Sequence, residues 1–311
     1  MIWFSRALTL LLLFVLLPVT LCLAADNKPV VTSIFVERYE RLPAPVDESA
    51  RTPLLFKMQE PPDGQVFLGV VVTVKLSGPT GAGWQAAEYA LMQGTKTLQP
   101  VGVLQDKGRY FPTGNLMFRR LSATASSPAA MSSIAKATIY YAVPKDAKDL
   151  VFKNGGHDTK LALPTALSTL DQRDYYDIKV KGARVVDRVQ YKPKPNGDAV
   201  DYVNKDGKFV LVTMDLLPKV PDAGGGWSIH WCWCNVAWGP DKMGQCLGTY
   251  DDKKELLDNP NPDLGTRAIM FDNRMPTKPV TVVVCFPIAA DAKDFSVTIL
   301  GCDMAKGQVP G

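Results

Sequence analysis

The chain has 311 residues, 24 glycines, 24 prolines and a formal net charge of +4. Lys and Arg form no run, which argues against a nucleic-acid partner, and beyond Asp26 no segment is apolar over the ~20 residues that a membrane span needs. Dense turn formers without long helical periodicity predict an all-β chain, and the roughly 285 residues after the first 25 suit two domains.

Residues 1–25 read as an export signal. Arg6 supplies the positive start, the stretch 7–17 is apolar apart from Thr9, and Pro18 breaks it before the small-residue site Cys22-Leu23-Ala24-Ala25. Uncleaved, the same stretch would serve as an N-terminal membrane anchor; the early proline and the polar Asp26-Asn27-Lys28 favour cleavage. A lipidated Cys22 would want a small residue before it, and Leu21 stands there. The expected location is secreted or periplasmic, with membrane anchoring as the alternative.

Residues 30–39 read as a first strand and 66–76 as a central one, its run Val70-Val71-Val72-Thr73-Val74 fitting burial on both faces. A turn leads to Trp84, after which Ala87, Tyr89 and Leu91 alternate with polar residues. Residues 123–133 form a Ser/Ala-rich loop. Strands follow at 137–143, closed by Pro144, and at 150–152. Residues 154–177 read as a linker with one short helix over 164–173. Strands are then expected at 178–189, 209–217, 229–234, 280–286 and 295–300, with Trp227 before the third and a tail at 304–311.

These two series repeat one another. Val36-Glu37-Arg38-Tyr39 with Pro43-Ala44-Pro45 returns 150 positions on as Val186-Asp187-Arg188-Val189 with Pro193-Lys194-Pro195. Gly64-Gln65-Val66-Phe67 and Gly83-Trp84 return after 143 positions, as Gly207-Lys208-Phe209-Val210 and Gly226-Trp227. Asp146-Ala147-Lys148-Asp149 returns after 145, as Asp291-Ala292-Lys293-Asp294. Order is kept and the offset drifts little, as loop-length changes produce. The expectation is a tandem duplication: a β-sandwich at 26–153 and a second at 178–303, each long enough to bury its own core. The charged pairs Glu37-Arg38 and Asp187-Arg188 read as edge-strand protection.

The run at residues 209–216, the Trp-containing strand at 227–235 and the Val-Cys-Phe-Pro ending at 282–287 resemble secreted bacterial immunoglobulin-like domains of the telokin-like type. The first half carries the pattern at 66–74 and 140–144. Ser77-Gly78-Pro79 and Pro218-Lys219-Val220-Pro221 replace that family's Asn-containing turn. The resemblance implies an immunoglobulin-like fold and export, and no activity.

Beyond the signal, cysteine is confined to the second half. Cys232, Cys234, Cys246, Cys285 and Cys302 follow the signal, and the first half has none. In an exported chain the plain reading is disulfides, with Cys234–Cys246 and Cys285 bonded to Cys232 or Cys302 as candidate bridges and one cysteine left over. The alternative is a zinc or copper site from His230, Cys232, Cys234 and Cys246, although Cys-x-Cys is not the usual knuckle spacing. Trp231, Trp233 and Trp238 lie within eight residues. Turned outward they offer a platform for a sugar or a protein; the ordinary alternative is packing against other parts of the chain. Trp84 and Trp227 read as core.

Enzyme motifs are missing. His157 and His230 are the two histidines, and no nucleophile elbow, His-Glu-x-x-His pair or phosphate-cradling loop occurs. The stretch 258–263 offers oxygen atoms to calcium but reads as a turn. The leading expectation is therefore a cofactor-free, non-enzymatic binding or assembly protein outside the cytoplasm, with a protein or glycan partner and its surface mainly on the second half.

Overall fold

The computed structural model describes residues 30–46, 55–76, 83–85, 89–105, 109–111, 117–119, 133–154, 157–219, 227–229, 233–258, 269–271 and 277–311. They form mainly strands joined by turns, with a short 3-10 turn at Gln172–Asp174. No helix among them is long and apolar enough to cross a membrane. The first half contains β1 (Val30–Tyr39), β2 (Leu42–Pro45), β3 (Phe56–Gln59), β4 (Gln65–Leu76), β5 (Gly83–Gln85), β6 (Ala90–Gln93), β7 (Lys96–Leu98), β8 (Pro100–Gln105), β9 (Arg109–Phe111), β10 (Met117–Arg119), β11 (Ser133–Pro144), β12 (Leu150–Asn154) and β13 (His157–Leu161). The second contains β14 (Tyr176–Val186), β15 (Arg188–Tyr191), β16 (Val200–Val203), β17 (Gly207–Pro218), β18 (Trp227–Ile229), β19 (Cys234–Ala237), β20 (Met243–Gln245), β21 (Gly248–Asp251), β22 (Leu256–Leu257), β23 (Ile269–Phe271), β24 (Val280–Ala289), β25 (Asp294–Ile299) and β26 (Cys302–Gln308).

One sheet of the first half runs β1-β4-β11-β8-β9 and the other β13-β12-β6-β7. In the second half the sheets run β14-β17-β24-β21-β22-β15-β16 and β20-β19-β25-β26. The order β1-β4-β11-β8 thus has its counterpart in β14-β17-β24-β21, and β13-β12-β6-β7 in β26-β25-β19-β20. The short ribbons match too: Trp84 in β5 opposes Phe118 in β10, and Trp227 in β18 opposes Phe271 in β23. The long pairings are antiparallel, while β15 and β22 run parallel. β1 and β14 lie at sheet edges.

Strand periodicity divides the apolar runs between separate cores. From β4, Val66, Leu68, Val70 and Val72 enter the first-half sandwich with Leu91 and Phe152. Phe67 faces the other way, into a cluster with Leu42, Phe56, Tyr110 and Tyr140. That cluster continues through Leu170, Tyr176 and Trp233 into the second-half core around Val212, Val236, Val297 and Phe286. From β17, Phe209 and Leu211 turn to a further core with Val189, Leu247 and Cys285. One apolar cluster therefore crosses from half to half. The connection is tied in as well: Ser168 N–H donates to the Arg38 carbonyl at 2.8 Å, and Glu40 N–H donates to the Ser168 carbonyl at 3.1 Å.

Several local expectations change. The helix over 164–173 is replaced by an extended path ending in the Gln172–Asp174 turn, whose N-cap Asp171 accepts from Arg173 N–H at 2.9 Å. Within this segment the backbone N–H and carbonyl of Ser168 are used on the first half. Each half also gains a strand: β13 pairs with β12 inside the expected linker, and β26, which pairs with β25, runs into the expected tail through residues 304–308. The expected strand 229–234 is divided, since β18 ends at Ile229 and β19 begins at Cys234. Strand 178–189 is interrupted at Asp187, and β24 continues past Pro287 to Ala289. The Ser/Ala-rich loop lies outside the described residues, apart from Ser133 at the start of β11.

The hairpin from β25 to β26 turns at Leu300 and Gly301, with φ of 50° and 82°. A Cβ at Gly301 would lie 2.7 Å from backbone atoms of Lys57 and Met58. Gly301 is thus required twice, for its left-handed backbone and for the close approach of β3.

Candidate functional site: a groove between the halves

The register of β20-β19-β25-β26 sorts its side chains. Cys234, Val236, Val297 and Ile299 point into the second-half core. On the opposite face Asn235 opposes both Gln245 and Thr298, and Ala237 opposes both Met243 and Ser296. Ser296 and Thr298 in turn oppose Lys306 and Asp303 of β26.

This outer face floors a groove of about 770 Å³. Ala237, Ser296 and Thr298 line it from the sheet, and Trp238 lines it beyond the end of β19. Arg41, Lys57 and Met58 line it from the first half, and residues 169–171 and Arg173 from the connecting segment. The site exists only because both halves and the connection converge.

The lining is under-satisfied. Trp238 Nε1, Ser296 Oγ and Thr298 Oγ1 lie just beneath the surface without a hydrogen-bond partner. In the same cross-strand rows, Asn235 Oδ1 and Gln245 Nε2 also have none. Asn235 is 0% and Thr298 2% exposed. A buried polar atom left unpaired costs about 1–3 kcal/mol, and native structures leave few of them. Thr298→Val keeps the shape and removes one orphan. We expect it to raise unfolding free energy by about 1 kcal/mol, read by denaturant unfolding; a loss of that size would mean that the hydroxyl is satisfied in solution.

Three of the cations on the walls are already matched. Arg41 pairs with Glu60 at 3.0 Å, Lys57 with Asp241 at 3.7 Å and Arg173 with Asp171 at 2.6 Å. Hydrogen bonds from Arg173 hold the Asp171 carboxyl below the usual range. These pairs are solvent-exposed and contribute little to stability, but they leave no large field of one sign in the groove.

The described cysteines are not bridged. Cys234, Cys246, Cys285 and Cys302 carry thiols, all buried. This corrects the expected Cys234–Cys246 bridge. Cys246 N–H donates to the Cys234 carbonyl at 3.1 Å, and such a pair holds its Cβ atoms about 5 Å apart, wider than the roughly 3.5–4.5 Å a disulfide takes. Cys285 and Cys302 belong to different cores, so that bridge is ruled out too. Cys232 lies outside the described residues, and Cys285 carries a thiol regardless. Cys302, at the groove, sits 3.5 Å from Met58 Sδ and donates to the Leu170 carbonyl at 3.7 Å.

Burial pushes the Cys302 thiol up to about 11 from an ordinary 9.0. Burial also raises Cys234 and Cys285. The folded state therefore holds the Cys302 proton more tightly than the unfolded chain. This contribution to stability is complete below pH 9.0 and is lost as pH rises towards about 11. We expect Cys234, Cys285 and Cys302 to resist iodoacetamide at pH 8 in native protein and to react once it is denatured, counted by mass spectrometry. Rapid native labelling at Cys302 would contradict its burial.

The remaining expected site residues fall as follows. Trp233 is 9% exposed and meets Phe111 edge to face at 5.8 Å, so it belongs to the seam between the halves and not to an exposed platform. Trp238 is half-buried at the groove. Trp231, His230 and Cys232 lie outside the described residues, so the metal set His230, Cys232, Cys234 and Cys246 is represented only by the opposed Cys234 and Cys246. Among the described residues no group of three or more His, Cys, Asp and Glu gathers as metal ligands. Of the expected calcium stretch only Asp258 is described, its N–H donating to the Thr249 carbonyl at 2.8 Å. His157 opposes Asn154 across the β12–β13 hairpin.

Sequence reasoning did not find Arg41, Lys57, Ser296 or Thr298. The one available signal was polarity within strong apolar strands, at Asn235 and Thr298. Comparison adds no relative: no family model, no curated protein and no solved structure matches the chain.

Proposed function

We propose that this chain is an exported, non-enzymatic binding protein, acting in the secreted or periplasmic space, that holds its ligand in the groove between two immunoglobulin-like halves derived by duplication. The observation that carries the reading is the set of unpartnered polar atoms beneath the groove floor, Trp238 Nε1, Ser296 Oγ and Thr298 Oγ1. An incoming polar ligand would supply the partners that the fold withholds. The recurring strand order supports the duplication. The apolar first 25 residues support export.

The groove combines a long sheet hairpin, two aromatics (Trp238 and Phe295) and three ion-paired cations, which suits holding better than turning over. The test is nuclear magnetic resonance of the full chain, processed as it is in its host, mixed separately with polysaccharide and peptide fractions of extracellular or cell-envelope material. Saturable shifts at Trp238, Ser296 and Thr298, with the bound material recovered unaltered, are the expected result. Shifts confined to other surfaces would remove the groove from the reading, and cleavage of the material would remove the non-enzymatic part.

A further inference from the structure

We infer that the groove takes a neutral, polyhydroxylated chain, a short stretch of glycan; this inference rests on the groove being the binding site. Four observations select that chemistry.

Volume comes first. About 770 Å³ falls within the roughly 300–1,000 Å³ of small-ligand sites and accommodates a short oligosaccharide. Charge comes second. Arg41, Lys57 and Arg173 each already face a carboxylate within 4 Å, and Lys306 shares its sheet face with Asp303. An anionic ligand would compete with these carboxylates for Arg41, Lys57 or Arg173; a neutral one leaves the three pairs in place.

Hydrogen-bond character is third. The Trp238 indole N–H only donates, whereas the Ser296 and Thr298 hydroxyls donate and accept. A sugar hydroxyl does both, so it matches each of the three in donor and acceptor character. Shape is the fourth. Ala237, Ser296, Thr298 and Gly301 are small, so the floor is shallow, and Trp238 beside it offers indole surface to the C–H face of a pyranose. A peptide adding as a strand needs a sheet edge, and this floor is a side-chain face.

The test titrates the full chain with neutral tetrasaccharides of β-1,4-linked glucose, α-1,4-linked glucose and β-1,4-linked N-acetylglucosamine. Tetragalacturonate and an uncharged Gly/Ser peptide run in parallel. The readout is the Trp238 indole resonance with backbone shifts at Ser296 and Thr298. The expected result is saturable binding of at least one neutral tetrasaccharide. It should weaken at least about tenfold in Ser296→Ala and Trp238→Phe, the latter keeping a ring while losing the N–H. Native-like spectra of both variants separate lost contact from lost fold.

Binding of tetragalacturonate or the peptide alone, at the same residues, would overturn the glycan assignment and leave the groove as the site. Shifts elsewhere, or none with any of these probes while envelope fractions act on another surface, would bring down both readings together.

Discussion

Gly301→Ala should cost about 2–4 kcal/mol of folding stability, the sum of a left-handed backbone strained by a Cβ and an overpacked contact. The added Cβ would meet backbone of Lys57 and Met58 at 2.7 Å, and backbone cannot rotate away as a flexible side chain does. The clash lies where β3 crosses the β25–β26 hairpin, at one wall of the groove. Relief therefore requires the first half to draw back from the second. Equilibrium denaturation measures the loss, and amide exchange at residues 56–59 should quicken with it. Gly64→Ala is the control, because Gly64 has φ of 73° but nothing within 4 Å of its would-be Cβ. It isolates the backbone part, about 1 kcal/mol. Equal losses at the two sites would mean that the seam is not tightly packed.

Trp233→Ala should cost about 3–5 kcal/mol, the usual range for removing a buried large aromatic. Trp233 fills the seam against Phe111 within the cluster that joins the halves. Trp238→Ala should cost clearly less, since Trp238 is half-buried, yet it should remove ligand binding. The two substitutions divide the tryptophan cluster between holding the halves together and serving the groove. Comparable stability losses with unchanged binding in Trp238→Ala would cancel that division.

How much was legible beforehand follows from the range of each interaction. The central strands at 66–76 and 209–217 were readable because burial on both faces demands an unbroken apolar run, whatever packs outside. The short helix was misread because propensity is local, whereas Ser168, within residues 164–173, bonds to Arg38 and Glu40, some 130 positions earlier. The bridges were misread for a related reason. Cysteine count and an exported setting favour pairing, but register and core membership decide which sulfurs meet. Trp233 and Trp238 look alike as tryptophans; only Phe111, from the other half, separates them.

The amino-acid sequence by itself determined an all-β chain with two ordered series of matching segments and an apolar N-terminal stretch. Those properties depend on alternation, turn residues and composition, which act over a few neighbours. The tertiary structure alone decided that the halves share one apolar cluster, that the four described cysteines stay thiols, and that Thr298 and Ser296 lie under a groove walled by Arg41 and Lys57. The shared cluster and the groove require residues more than 100 positions apart to meet. Such meetings are fixed by register, by which face a strand turns outward, and by a glycine small enough to let two backbones touch.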